Sequence, residues 1–126
     1  MASRDTKLLD PNLLNLWRKL YEFSLSKGID VIITCTYRSG AEQNELYAQG
    51  RTKSGRIVTW AKAGQSKHNL MPSKAFDIAI IKNGKCVWDI SDPSWEIVGK
   101  TGTELGLKWG GNWKSQKREF PHFEIE

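Results

Sequence analysis

Ser66 to Asp77 reads SKHNLMPSKAFD. It holds one of the two histidines in the chain and a carboxylate at the start of an apolar run. The second histidine, His122, lies in EFPHFEIE, residues 119–126. Ala75 to Ile81 alternates, with Phe76, Ile78 and Ile80 on one face and Asp77, Ala79 and Ile81 on the other, so it reads as a strand. An aspartate inside such a strand is costly to bury unpaired, and a metal or an arginine partner removes that cost. Neutral imidazole and carboxylate oxygen both suit zinc, and a catalytic zinc keeps three protein ligands and one open position. His68, Asp77 and His122 are therefore a candidate zinc set. The competing reading is three unrelated polar residues, because no local pattern such as HExxH fixes their geometry.

Further pieces lie around these. Tyr37-Arg38-Ser39 is followed by Glu42-Gln43 and Leu46-Tyr47, and Trp109-Gly110-Gly111-Asn112-Trp113 precedes Glu119-Phe120-Pro121-His122-Phe123. With Ser66-Lys67-His68 and Ala75-Phe76-Asp77, they run in order from about Thr34 to Glu124. In that order they resemble the zinc peptidases of the D-alanyl-D-alanine carboxypeptidase and L-alanyl-D-glutamate endopeptidase group, whose fold is shared with the hedgehog signalling domain.

The resemblance implies that His68, Asp77 and His122 hold zinc and that Glu119 is the catalytic carboxylate, a glutamate where aspartate is common. It implies that Arg38 is a fixed cation that binds substrate and offsets oxyanion charge. Ser66 is expected close to the metal, with a hydrogen bond that fixes the His68 ring. Gln43 is expected to contact the site, and Trp109 and Trp113 to line the groove. The residues alone leave alternatives open. Arg38 also reads as a solvated corner, Gln43 as helix-face polarity, the tryptophans as core, and Glu119 as part of the charged run KSQKRE, residues 114–119. The His68–Asp77 spacing is longer than the family's usual one, and Leu70-Met71-Pro72-Ser73 holds the excess in a proline-bearing loop.

The chain's 126 residues are enough for one domain with a real core. The formal charge of +5 favours an anionic partner: nucleic acid, anionic lipid or bacterial wall polymer. No nucleic-acid motif is present and the basic residues are scattered, which argues against the first. Cys35 and Cys86 each sit in a strand-like apolar run and are expected to be buried free thiols. MASRDTKLLD has no apolar signal core and no window is apolar enough to span a membrane, so cytoplasmic retention, in a host bacterium, is expected until release to the wall.

The remaining elements follow from local patterns. Asp10 and Pro11 start a helix to Lys27 that buries Leu13, Leu16, Trp17 and Leu20, with Tyr21 also read as core, and Gly28 ends it. Ile29 to Tyr37 alternates as a strand. Ser39-Gly40-Ala41-Glu42 is a capping box for a helix ending at Gly50. Arg51 to Gln65 reads as a basic loop with a short helical piece. Asn83-Gly84 signals a type I′ hairpin returning through Asp89. Asp92-Pro93 starts a helix to Leu105, and Phe120 to Ile125 is a last strand.

These elements predict an α+β fold, a small mainly antiparallel sheet with packed helices, in a single zinc peptidase domain over 1–126 without a separate wall-binding domain. The resemblance implies a monomeric phage endolysin that cleaves the L-alanyl-D-glutamate bond of peptidoglycan, its positive charge holding the anionic wall. A D-alanyl-D-alanine carboxypeptidase and a non-catalytic metal-stabilised binding module are the alternatives.

Overall fold

The computed structural model describes residues 3–113 and 118–126. In chain order its elements are α1 (Pro11–Ser26), β1 (Asp30–Cys35), α2 (Gly40–Ala48), β2 (Ala75–Lys82), β3 (Lys85–Val87), α3 (Pro93–Glu104), β4 (Lys108–Trp109) and β5 (His122–Glu124). The sheet is organised on β2. β1 runs along one side, with Val31 opposite Ile80 and Ile33 opposite Ile78. The other side is shared: β5 pairs with 75–77 and β3 with 80–82. β4 lies outside β5, and every one of these pairings is antiparallel.

Local chemistry sets the helix ends. The Asp10 carboxylate accepts from the Asn12 N–H at 2.9 Å, Pro11 opens α1, and Gly28 leaves it at φ +79°. Ser39 and Glu42 form a reciprocal capping box at α2. The Asp92 carboxylate caps α3. Asn83 and Gly84 both have positive φ, as the type I′ turn between β2 and β3 requires. Residues 114–117, most of the charged run, lie outside the described residues.

The helix-side face of the sheet is aromatic and aliphatic. Phe76 stacks on Phe123 at 5.6 Å between ring centres and meets the edge of Trp17 at 5.5 Å. Trp109 is buried in the same core, and its Nε1–H donates to the Phe120 carbonyl at 2.8 Å. Gly99 and Gly102 let α3 approach: a Cβ on Gly99 would lie 2.4 Å from the Trp109 ring, and one on Gly102 would lie 2.6 Å from Phe123.

Four expectations are corrected. Tyr21 is exposed, because the buried stripe of α1 runs through Leu13, Leu20 and Ser24. Cys86 is exposed, because β3 is a three-residue edge strand with no cover, although both thiols are free. No helical piece falls within 51–65; the first after α2 is a 3₁₀ turn at Lys67–Asn69. β1 and β5 are shorter than expected, since β1 begins at Asp30 and ends at Cys35 and β5 holds only His122–Glu124.

Filling the Gly99 contact tests the packing. Gly99→Ala forces the Trp109 ring or the helix to move and should destabilise the fold by about 1–3 kcal/mol. Chemical denaturation reads this directly, and an unchanged midpoint would mean the indole yields freely.

Candidate active site

β-sheet register assembles the centre of the site. Asp77 on β2 lies directly opposite His122 on β5, and residues so paired share a face. On its other side Asp77 pairs with Cys35, because β1 shifts register between Ile33 and Cys35. That irregularity turns Cys35 from the helix side towards the site. His68 comes from the 3₁₀ turn at Lys67–Asn69, which is tied to the β1–α2 corner. The Arg38 N–H donates to the His68 carbonyl at 2.9 Å, and Asn69 Nδ2 donates to the Arg38 carbonyl at 2.8 Å.

One oxygen collects both histidines. His68 Nε2 lies 3.1 Å and His122 Nδ1 3.2 Å from Asp77 Oδ1. The second oxygen, Oδ2, faces Arg38 Nη2 at 3.3 Å. Each ring is held from behind. His68 Nδ1 donates to the Thr36 carbonyl at 2.8 Å, and His122 Nε2 meets Glu124 Oε1 at 2.8 Å. Glu124 Oε2 pairs in turn with Lys67 Nζ at 3.3 Å. Two imidazole nitrogens and a carboxylate oxygen converging, with the far nitrogens fixed by oxygen acceptors, is a donor set that fits zinc. Cys35, His68 and Asp77 also offer ligand atoms within 4.8 Å of one another. Cys35 Sγ lies beside His68 Nδ1 at 3.6 Å, whereas Asp77 lies at Nε2. One ring cannot aim both nitrogens at a single ion, so the set containing His122 is the better fit.

Glu119 stands at the edge of this cluster, partly buried. Gly110 fixes its backbone: the Glu119 N–H donates to the Gly110 carbonyl at 3.1 Å, and a Cβ on Gly110 would lie 2.3 Å from the Glu119 carbonyl oxygen. Two clefts meet there. The larger, about 710 Å³, is lined by Arg38, Gln65, Ser66, Lys67, Asn112 and Trp113 together with His68, Glu119 and His122. The smaller, about 440 Å³, shares Glu119 and His122 and adds Asp77.

The D-alanyl-D-alanine carboxypeptidase family matches residues 59–125, a span that holds His68, Asp77, Glu119 and His122. The chain belongs to this family. It is 44% identical over 108 residues to the peptidoglycan L-alanyl-D-glutamate endopeptidase CwlK of Bacillus subtilis, a match that takes in 79% of this chain and 63% of that protein. The chain thus spans under two thirds of this relative's length. The fold is similar to that of the Serratia marcescens L-Ala D-Glu endopeptidase ChiX, with TM-score 0.67 and 19% identity over 100% of this chain and 89% of that one. It is also similar to the vancomycin-resistance D,D-pentapeptidase VanY in complex with Zn(II), with TM-score 0.68 and 14% identity over 93% of this chain and 72% of that one.

Charge in this family member follows the contacts. Burial works to lower the His68 pKa, but the Asp77 charge and hydrogen bond outweigh it and raise it to about 10. Burial opposes His122 in the same way, and its bonds to Asp77 and Glu124 raise it. Burial raises Asp77, yet the two histidines hold it well below the usual carboxylate range. Glu119 differs: burial raises its pKa, and the neighbouring His122 charge only partly offsets that.

The other expected site residues divide. Trp113 reaches the larger cleft, its ring 5.0 Å from that of His122. Gln43 is fully buried and does not line the cleft. Its Oε1 accepts from Arg38 Nη1 at 2.9 Å and its Nε2 donates to the Ala61 carbonyl at 2.7 Å, so it aims the guanidinium and tethers the 59–61 loop. Ser66 is corrected: its hydroxyl accepts from the His68 backbone N–H at 3.2 Å and caps the turn, while the ring is fixed by Thr36. Trp109 is corrected too, since it is core and its place at the groove is taken by Trp113. The excess His68–Asp77 residues bulge outward, with Leu70 and Met71 exposed. Ser73 closes the loop through hydroxyl bonds to the Thr36 and Ala75 carbonyls at 2.9 and 2.8 Å. Glu124 and Thr36 were missed. The alternation that puts Glu124 on the His122 face was a signal for the first; a backbone carbonyl leaves none for the second.

The raised His68 pKa gives a signed prediction for chelator-treated protein. Protonated His68 stabilises the fold fully below its unfolded value near 6.5, and that contribution is lost as pH rises through about 10. Thermal midpoints should therefore fall between pH 6.5 and 10.5, and His68→Gln should flatten the fall. An equally steep fall in the variant would assign the loss to other groups.

Proposed function

We propose that the protein is a zinc-dependent peptidoglycan hydrolase that cuts the L-alanyl-D-glutamate bond of the stem peptide. The observation that carries this reading is the junction of two clefts at Glu119 and His122, beside the convergent His68–Asp77–His122 cluster. An endopeptidase must accept substrate on both sides of the scissile bond, and a cleft open in two directions from the reacting centre allows it. The 44% identity to a peptidoglycan L-alanyl-D-glutamate endopeptidase supports the choice of bond.

In this reading His68 through Nε2, Asp77 through its carboxylate and His122 through Nδ1 hold the ion. Bound zinc supplies a Lewis acid that polarises the scissile carbonyl and lowers the pKa of its water to about 7. Glu119 takes a proton from the attacking water and delivers it to the leaving amine of D-glutamate. Its raised pKa suits both halves of that transfer, since a base that must also act as an acid works best near the operating pH. Arg38 steadies Asp77 and presents positive charge at the cleft, where negative charge grows on the carbonyl oxygen. Thr36 and Glu124 keep the histidine rings turned inward. The +5 charge suits an anionic wall, and we read the biological role as that of a lytic enzyme of the phage endolysin kind, acting as a monomer.

Three measurements bear on this reading. Purified protein should carry about one zinc, and His68→Ala or His122→Ala should lose it; full occupancy in both variants would sink the ligand assignment. Glu119→Gln should keep zinc and fold while losing roughly two to four orders of magnitude in rate. Near wild-type turnover would move the base elsewhere. Mass spectrometry of a digested stem peptide should find a fragment that begins with D-glutamate. Release of terminal D-alanine alone would make the enzyme a carboxypeptidase.

A further inference from the structure

The smaller cleft carries a single cation, Arg118, where the larger carries Arg38 and Lys67. Its far wall is apolar and open: Val58, Trp88 and Ile90 are 46%, 55% and 58% exposed. Pro121 closes the side next to His122. The Trp88 ring is stacked on Trp95 with planes 23° apart and centres 6.2 Å apart, and Trp95 is itself only 1% exposed. One face of Trp88 is therefore backed by the core and the indole stands as a fixed platform. A rigid aromatic platform at the rim of a polar centre is a recognition surface rather than scattered exposure.

The occupant follows from the substrate class, and here the inference rests on the function proposed above. Beyond D-glutamate the stem peptide carries free carboxylates and a charged diamino acid. The larger cleft offers Arg38, Ser66, Lys67 and Asn112 to such groups; the smaller offers one cation, Arg118, whose Nε–H is already given to the Gly111 carbonyl and whose guanidinium faces Glu96. On the other side of the scissile bond only L-alanine separates the reacting carbonyl from the muramyl group. One extended residue spans about 3.5 Å and the lactyl ether of the muramyl group about as much again, so the sugar ring must lie within roughly 10 Å of Glu119 and His122, inside the reach of this cleft. A pyranose presents a face of C–H bonds that packs on an indole, and an N-acetyl methyl that suits aliphatic neighbours such as Val58 and Ile90. We propose that the Trp88 cleft is a glycan subsite that takes the N-acetylmuramyl residue bearing the stem peptide. It fixes the direction in which substrate lies: sugar and L-alanine towards Trp88, D-glutamate and the rest of the stem towards Arg38 and Trp113.

The test compares two soluble substrates, the stem peptide alone and the same stem on its N-acetylglucosaminyl-N-acetylmuramyl disaccharide. Wild-type kcat/KM should favour the sugar-bearing substrate by about tenfold, the scale of one stacked aromatic contact. Trp88→Ala should bring that ratio to about one, and Trp88→Phe should keep part of it. A wild-type ratio near one, or a ratio that survives Trp88→Ala, overturns the subsite. Should neither substrate be cut, the bond assignment fails, and the subsite is still read by titrating the peptide-free disaccharide into zinc-loaded protein. The indole N–H resonance missing from Trp88→Phe should then shift saturably, and no shift at millimolar sugar rejects it.

Discussion

A carboxylate on the central strand of a small sheet cannot remain there alone. Removing an ionised carboxylate from water is far too costly unless charge and hydrogen bonds meet it inside. Asp77 is met on both oxygens, Oδ1 by His68 and His122 and Oδ2 by Arg38. The three partners come from a 3₁₀ turn, the last strand and the β1–α2 corner. Satisfying one carboxylate therefore ties together segments that are far apart in sequence. Each partner is anchored in turn, His68 by Thr36, His122 by Glu124 and Arg38 by Gln43. The order of the site is thus the order of the fold around β2.

That dependence makes strand register the sensitive variable. Sliding β5 by one residue would carry His122 to the helix side and bring Phe123 to the site. The aromatic core opposes such a slip, because Phe123 stacks on Phe76 and lies under Gly102. Glycine has the same kind of role on the other flank. Gly110 permits the backbone approach that sets Glu119, and Gly99 permits the approach of α3 that seats Trp109. Packing on one face of the sheet and chemistry on the other are set by the same few contacts.

What the sequence made legible follows the range of the interactions. Caps, the Asn83-Gly84 hairpin and the alternation of β1 and β2 are local, and they were readable from residue types alone. His68, Asp77 and His122 stood out because histidine is rare in this chain and an aspartate inside an apolar strand demands an explanation. Non-local choices were harder. Nothing in Trp109-Gly110-Gly111-Asn112-Trp113 says which indole faces the core; that depends on Gly99, ten residues before Trp109 and on another element. The direction of Cys35 rests on a register shift that simple alternation does not contain. The place of Trp88 is not local either, because the cleft it lines is formed with residues from 58 and 121.

The cleft arises from the way β2 shares one edge between two short strands. β5 pairs only with 75–77 and β3 only with 80–82, so the chain leaving β3 at Trp88 diverges from the chain entering β5 at Pro121. A longer β5 or β3 would fill the gap and leave the face that carries Asp77 and His122 open on one side alone. Shortness of the two strands, which would count as weakness in an ordinary sheet, here keeps a second approach to Glu119 and His122 open. The wall of that approach is then available for apolar side chains, because the backbone groups of 75–77 and 80–82 already have their ladder partners. In the proposed binding mode, a centre reached from two sides, past Arg38 and Lys67 on one and past Trp88 on the other, gives a substrate with a polar peptide at one end and a sugar at the other a single direction in which to bind.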